Sequence, residues 1–91
     1  MLREKIVKLT TPVTFGDQKI AEFTLIEPTL DALEKVESLS GIAYFKRLMA
    51  ACSISPKLDA PAIGRLSSTD YATAMAALVE VMRAEPVPTE E

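Results

Sequence analysis

The sequence has no histidine, a single cysteine and three glycines among its 91 residues. Without histidine there is no imidazole to act as a catalytic base, to bind a metal or to titrate near neutral pH. A lone thiol, Cys52, forms neither an intrachain disulfide nor a thiolate metal site, and Gly16, Gly41 and Gly64 are too dispersed for a nucleotide-binding loop. Histidine-dependent acyl transfer, zinc sites and nucleotide binding are therefore excluded.

Strong positive charge and long apolar runs are also missing. Ten Lys and Arg residues stand against 13 Asp and Glu residues, and the only adjacent basic pair is Lys46 with Arg47, so we expect no nucleic-acid partner. No apolar stretch approaches the roughly 20 residues that a membrane-spanning helix needs. The first five residues mix charges and do not resemble a secretory signal, which leads us to expect a reduced, cytoplasmic setting.

The composition that remains is typical of a small globular protein. Hydrophobic residues make up 48% of the chain and charged residues 25%, which predicts a single folded α+β domain over residues 1–85. Residues 86–91 contain two prolines and two glutamates beside one valine, which predicts a disordered acidic tail.

The first 27 residues have the composition of β-strands. Residues 4–14 and 20–26 are rich in β-branched and apolar side chains, and a turn around Gly16 separates them, so a β-hairpin is expected. Pro12 indicates a sheet edge or a bulge. Ile20 is out of phase with Phe23, which predicts a further irregularity near Ala21. A hairpin alone is marginal in water, so it must pack on helices or pair with a second copy.

Nearly everything after Pro28 has helical periodicity. Helices are predicted over residues 30–39, 42–52 and 60–65 and from Ser67 or Ser68 to Pro86, with Thr29 and Asp59 as N-caps. Leu30 is expected on the inner side of the first helix, and Ile42 and Leu48 on the inner side of the second. The predicted architecture is an N-terminal β-hairpin followed by a small bundle of three to four helices.

Few residues are arranged for catalysis. Asp17 with Glu22, and Asp59 with Asp70, could be read as carboxylate pairs, but acidic residues are expected at turns and helix starts for their backbone hydrogen bonds. Cys52 lies on an apolar helix side with no base to activate it. We therefore predict a protein that is not an enzyme and that has no cofactor and no metal.

The apolar residues exceed what a thin layer of helices over a hairpin can bury. Part of this surplus either forms an interface with another molecule or is simply exposed to solvent, as is ordinary in a small domain. The residues concerned are Leu2, Ile26, Ile42, Met49, Ile54, Met75 and Met82.

The order of motifs resembles that of Mu-like phage tail assembly chaperones over roughly residues 7–82. The matching residues are Leu9-Thr10-Thr11-Pro12-Val13, Gly16, Ile20, Phe23, Leu25, Glu27-Pro28-Thr29, Leu30 to Leu33, Ile54-Ser55, Leu58, Leu66 and Asp70-Tyr71. The family commonly has Arg two residues before the helix-opening proline, whereas this chain has Ile26 there, so a role for that Arg does not transfer.

The resemblance implies a non-enzymatic assembly factor of the host bacterial cytoplasm that is not retained in the mature virion. Its partner would be the tape measure protein, a long helical client that it keeps soluble during tail morphogenesis. The resemblance also implies a homo-oligomer and a possible longer form made by frameshifting. We expect the client to contact Tyr44, Leu48, Met75 and Met82, together with the hairpin edge at Pro12.

The alternative from a different class is a small bacterial adaptor or regulatory domain for protein interactions. A third alternative is an enzyme whose catalytic groups are carboxylates alone. It requires a pocket with converging Asp or Glu side chains.

Overall fold

Two long strands are followed by four helices, with a short third strand between the second and third helices. The computed structural model describes residues 3–83, so Leu2 and the tail expected at residues 86–91 lie outside the described residues. The predicted α+β class is confirmed. The elements are β1 (Glu4–Phe15), β2 (Gln18–Ile26), α1 (Leu30–Val36), α2 (Gly41–Cys52), β3 (Ser53–Ile54), α3 (Ala60–Ile63) and α4 (Ser68–Met82).

The hairpin of β1 and β2 is antiparallel, and its turn depends on Gly16. That residue has a φ of 64° and is the first of the two turn residues, the position at which a type II′ turn requires glycine. Pairing is regular from Glu4 to Lys8, shifts between Lys8 and Val13, and is regular again up to the turn. The shift lies opposite Ala21, where the phase change predicts an irregularity, but the additional residues belong to β1 and include Pro12.

The third strand was not predicted from the sequence. Ser53 and Ile54 follow α2 directly and pair with Leu25 and Thr24 of β2. The buried Ser53 hydroxyl fixes this exit from the helix, because it accepts a hydrogen bond from the Leu58 amide at 2.7 Å and lies 2.8 Å from the Ala50 carbonyl oxygen. The sheet order is therefore β1, β2, β3, and β1 is at an edge.

Helices α1, α3 and α4 begin at the predicted caps. The hydroxyls of Thr29 and Ser67 accept hydrogen bonds from the amides of Ala32 and Asp70, and the Asp59 carboxylate accepts one from the Ala62 amide. The first helix is shorter than predicted, because it ends at Val36 and not at Leu39.

The core lies between one face of the sheet and the helices. Val7, Phe23 and Leu25 of the hairpin have no exposed surface, and α4 packs on β1 and β2 above them. Leu48 and Met49 of α2 and Leu78 of α4 fill the space between the layers and are also fully buried. Each of these large side chains contributes about 1.5–3 kcal/mol by burial.

Candidate functional site

The four predicted contact residues do not form one surface. Leu48 has no exposed surface, so its prediction as a contact residue is wrong: the inner side of α2 faces α4 and the sheet, and Leu48 is at its centre. Tyr44 is half-buried against the core, where its ring packs edge-on against Phe45 with centroids 5.0 Å apart. Met75 is also half-buried. Met82 is the most exposed of the four predicted contact residues, at 39% exposure.

The most exposed large apolar residues are ones that the helical periodicity predicts to be inside. Leu30 is 82% exposed and Ile42 is 70% exposed, so the expectation that both face the core is wrong. Each residue lies in the first turn of its helix, beyond the reach of the elements that cover the later turns. Val79 of α4 is also exposed. Because Leu30 and Ile42 lie at the starts of their helices, their exposure could have been predicted from the sequence.

Leu30 borders a shallow depression between the start of α1 and the end of α4. Its walls are Pro28, Leu30, Leu33 and Met82, with Glu27 at the rim, and its volume is about 290 Å³. We call these five residues the α1–α4 groove. The groove is open, four of its five lining residues are apolar and none belongs to a strand, so it offers side-chain contacts to a partner.

Carboxylates border the groove along α1. Asp31, Glu34 and Glu37 surround a second depression whose apolar residues are Leu30 and Leu33. None of these three carboxylates makes a hydrogen bond or an ion pair with any residue in the described range 3–83. Residues 27–37 hold four carboxylates and a single lysine, so this surface is acidic although the described chain as a whole is balanced.

A more enclosed cavity lies between α2, α3 and the start of α4. It has a volume of about 240 Å³, and its walls include Ile42, Ile63, Leu66 and Tyr71. The Lys46 side chain lines it as well. The cavity is large enough for one apolar side chain, and it is separate from the α1–α4 groove in its lining residues.

Asp70 is the one charged residue buried within the described part of the chain. Its carboxylate oxygens accept hydrogen bonds from the backbone amides of Thr10 at 2.8 Å and Thr11 at 3.0 Å and from the Thr10 hydroxyl at 2.9 Å. Thr10 and Thr11 lie in the register shift of β1, where β2 supplies no regular partners. Asp70 therefore links the first turn of α4 to the bulge that contains Pro12.

The Asp70 environment favours the charged carboxylate. The Thr10 amide is the largest influence that lowers its pKa, burial opposes this, and the Thr11 amide and the hydroxyls of Thr10 and Ser67 lower it further. An acid with a lowered pKa and three donors from its own chain is held as an anion. Asp70 therefore has a structural role, because it connects α4 to the bulge of β1. The sequence predicted only that Asp70 lies at the start of the helix.

The other acidic residues considered for catalysis, and the cysteine, either make structural hydrogen bonds or lie apart from one another. The Asp59 carboxylate caps α3, and Asp17 and Glu22 are exposed on the hairpin. Burial raises the pKa of the Cys52 thiol, which leaves it protonated, and Lys57 only partly opposes this. Over residues 3–83 there is no cluster of three or more acidic, cysteine or histidine side chains that could hold a metal, and no helix is long and apolar enough to cross a membrane.

No family model, curated protein or solved structure matches this chain. The resemblance to Mu-like tail assembly chaperones therefore depends on the motifs in the sequence alone.

Proposed function

We propose that this chain is a tail assembly chaperone of the Mu-like phage type, which binds the tape measure protein and keeps it soluble in the host bacterial cytoplasm. The proposal includes self-association of the chain and involves no catalytic step. The observation that carries it is the accessible apolar surface on the helical side, where Leu30 is 82% exposed and Val79 and Met82 are 49% and 39% exposed. The motif order along residues 7–82 supplies the type of client.

Shallow apolar surfaces suit a protein that must bind and later release a long helix. Many weak contacts spread along a helix give useful affinity together, and they are lost one after another as another protein replaces the chaperone. The α1–α4 groove and the strip at Met75 and Val79 are both open, and their apolar side chains have charged neighbours, Glu27 in the groove and Glu80 with Arg83 in the strip. Neither surface has converging acids or bases that would act on a substrate.

The test is co-expression of the full chain with fragments of a tape measure protein from the same tail gene cluster. We expect the fragment to stay in the soluble fraction and to elute together with this chain, with light scattering giving a mass above that of one copy of each. A long helical protein of unrelated function, expressed in the same way, is the control. Precipitation of every fragment despite abundant soluble chain would contradict the proposed function.

The cavity bordered by Lys46 favours a second candidate function, a small adaptor domain. A pocket of about 240 Å³ lined by Ile42, Leu66 and Tyr71 fits a single apolar anchor of a partner protein. An adaptor of this kind would bind one short motif tightly. Substitution of Ile42 by Asp would then abolish partner binding, whereas the chaperone hypothesis predicts that it leaves tape measure solubility unchanged.

A further inference from the structure

The α1–α4 groove places exposed apolar side chains beside unpaired carboxylates on the neighbouring surface of α1. Leu30 is 82% exposed and Met82 39% exposed, and Leu33 and Pro28 complete the apolar wall between the two helices. An aliphatic surface of this kind is normally covered by a partner when it is contiguous.

The carboxylates on α1 indicate the charge of that partner. Asp31, Glu34 and Glu37 follow one another at spacings of three residues, so their like charges repel along the helix. Within residues 3–83 none of them has a hydrogen-bond or ion-pair partner. A partner with Lys or Arg beside its apolar residues relieves this repulsion and is attracted over a distance.

The walls of the groove also indicate the conformation of the partner. The groove is lined by the segment before α1, the first turn of α1 and the last residue of α4, and no strand residue lines it, so an extended chain finds no strand edge to pair with there. A helix presents a continuous stripe of side chains and packs between two others by fitting ridges into grooves.

We propose that the α1–α4 groove binds an amphipathic helix whose apolar residues at positions i, i+3 or i+4, and i+7 are flanked by Lys or Arg. This inference rests on the proposed function and specifies which segments of the helical client are bound. Leu30 and Met82 contact the apolar stripe of the bound helix, and Asp31, Glu34 and Glu37 pair with its basic flank.

The first experiment uses two labelled peptides of about 18 residues with the same leucine stripe, one flanked by Lys and the other by Glu. Fluorescence anisotropy with the full chain at low salt should show the Lys peptide binding at least about tenfold more tightly. The difference should shrink at roughly 0.5 M salt, where the screening length is only a few ångströms. Equal affinity for the two peptides would overturn the inference.

The second experiment compares matched apolar-to-acid substitutions. Leu30→Asp should weaken Lys-peptide binding at least about tenfold, because Leu30 is central to the apolar wall. Ile6→Asp adds the same charge at a β1 residue that is 55% exposed, does not line the groove and lies on the opposite face of the sheet from the buried Val7, so it should leave the affinity within about twofold. Both positions are exposed, so circular dichroism should show folded protein in each case. Equal weakening by the two substitutions would contradict the assignment of the groove.

A charge reversal separates this inference from the proposed function. The double variant Glu34→Lys with Glu37→Lys should invert the preference, so that the Glu peptide binds more tightly than the Lys peptide. If the preference is unchanged and the tape measure fragment still co-purifies with the variant, the inference is wrong and the proposed function stands. If the unmodified chain fails to hold any tape measure fragment in solution, the proposed function fails whatever the peptides do.

Discussion

The two ends of α4 meet the rest of the molecule in different ways. At the N-terminal end the buried Asp70 carboxylate accepts three hydrogen bonds from Thr10 and Thr11, so the unpaired groups of the β1 bulge are satisfied. At the C-terminal end, Glu80 pairs with Lys5 through side chains that are each more than half exposed, and Met82 is left uncovered beside Leu30. Both ends are tied to β1 or the residue before it, since Arg3 also donates to the carbonyl oxygens of Glu80 and Arg83, but only the C-terminal end presents apolar surface to solvent as well.

The difference shows where stability and where binding are concentrated. A buried charge must have its partners in the same chain, because an unsatisfied one costs too much. An exposed apolar side chain costs little in a small domain and remains available to another molecule. Substitutions near the start of α4 should therefore affect folding, and substitutions near its end should affect association.

The largest difference in stability is expected between substitutions of two residues that lie one turn apart on α4. Leu78→Ala removes a side chain with no exposed surface and should lower the free energy of unfolding by about 2–5 kcal/mol. Met82→Ala removes a side chain that is 39% exposed and should lower it by less than about 1 kcal/mol. Urea denaturation followed by circular dichroism measures both values. Similar losses from the two substitutions would contradict the change from buried to exposed along this side of the helix towards its C-terminal end.

The next effect concerns the connection between α4 and the bulge. Asp70→Ala leaves the amides of Thr10 and Thr11 without their acceptor, and we expect Tm to fall by roughly 10 °C. Asp59→Ala is the matched control, because Asp59 caps only the short helix α3 and should cause a smaller fall. Thermal unfolding curves give both values, and an Asp70→Ala variant as stable as Asp59→Ala would show that the bulge does not need this carboxylate.

The smallest expected effect is the acid dependence of the same contact. Folding lowers the pKa of Asp70, chiefly through the Thr10 amide, so its stabilising contribution is fully present above the unfolded-state pKa of about 4. The contribution is lost as pH falls through the lower folded-state value. Asp70→Asn lacks this titration and should be less stable than the unmodified chain at pH 7, with the difference shrinking below about pH 4. Urea midpoints across this range measure it, and a constant difference would contradict the role of the charge.

The predictions that hold depend on residues close together in the sequence. Gly16 defines the hairpin turn because positive φ is costly for other residues, and Thr29, Asp59 and Ser67 define helix starts because each accepts from an amide three residues later. The irregularity opposite Ala21 follows from the alternation of side chains along a strand. These features depend on local geometry, which can be predicted directly from the sequence.

The predictions that are wrong concern which side of a helix is covered. Helical periodicity groups Leu30 with Leu33, and Ile42 with Leu48, but it does not say how far the neighbouring elements extend. Leu30 and Ile42 project beyond them and are exposed, whereas Leu48 lies at the centre of the packing and is buried. The candidate groove was missed for the same reason, since it is formed by residues from two helices at opposite ends of the chain.

The sequence by itself determined the order of the hairpin and the helices, the caps of α1, α3 and α4, and the turn, because each results from hydrogen bonds or steric limits within a few residues. Tertiary structure alone decided the pairing of β3 with β2, the burial of Asp70 against Thr10 and the placement of Leu30 and Met82 along one groove. Each of these contacts joins residues far apart along the chain. Their formation depends on how whole elements pack together, and the residues near each contact in the sequence do not determine that packing.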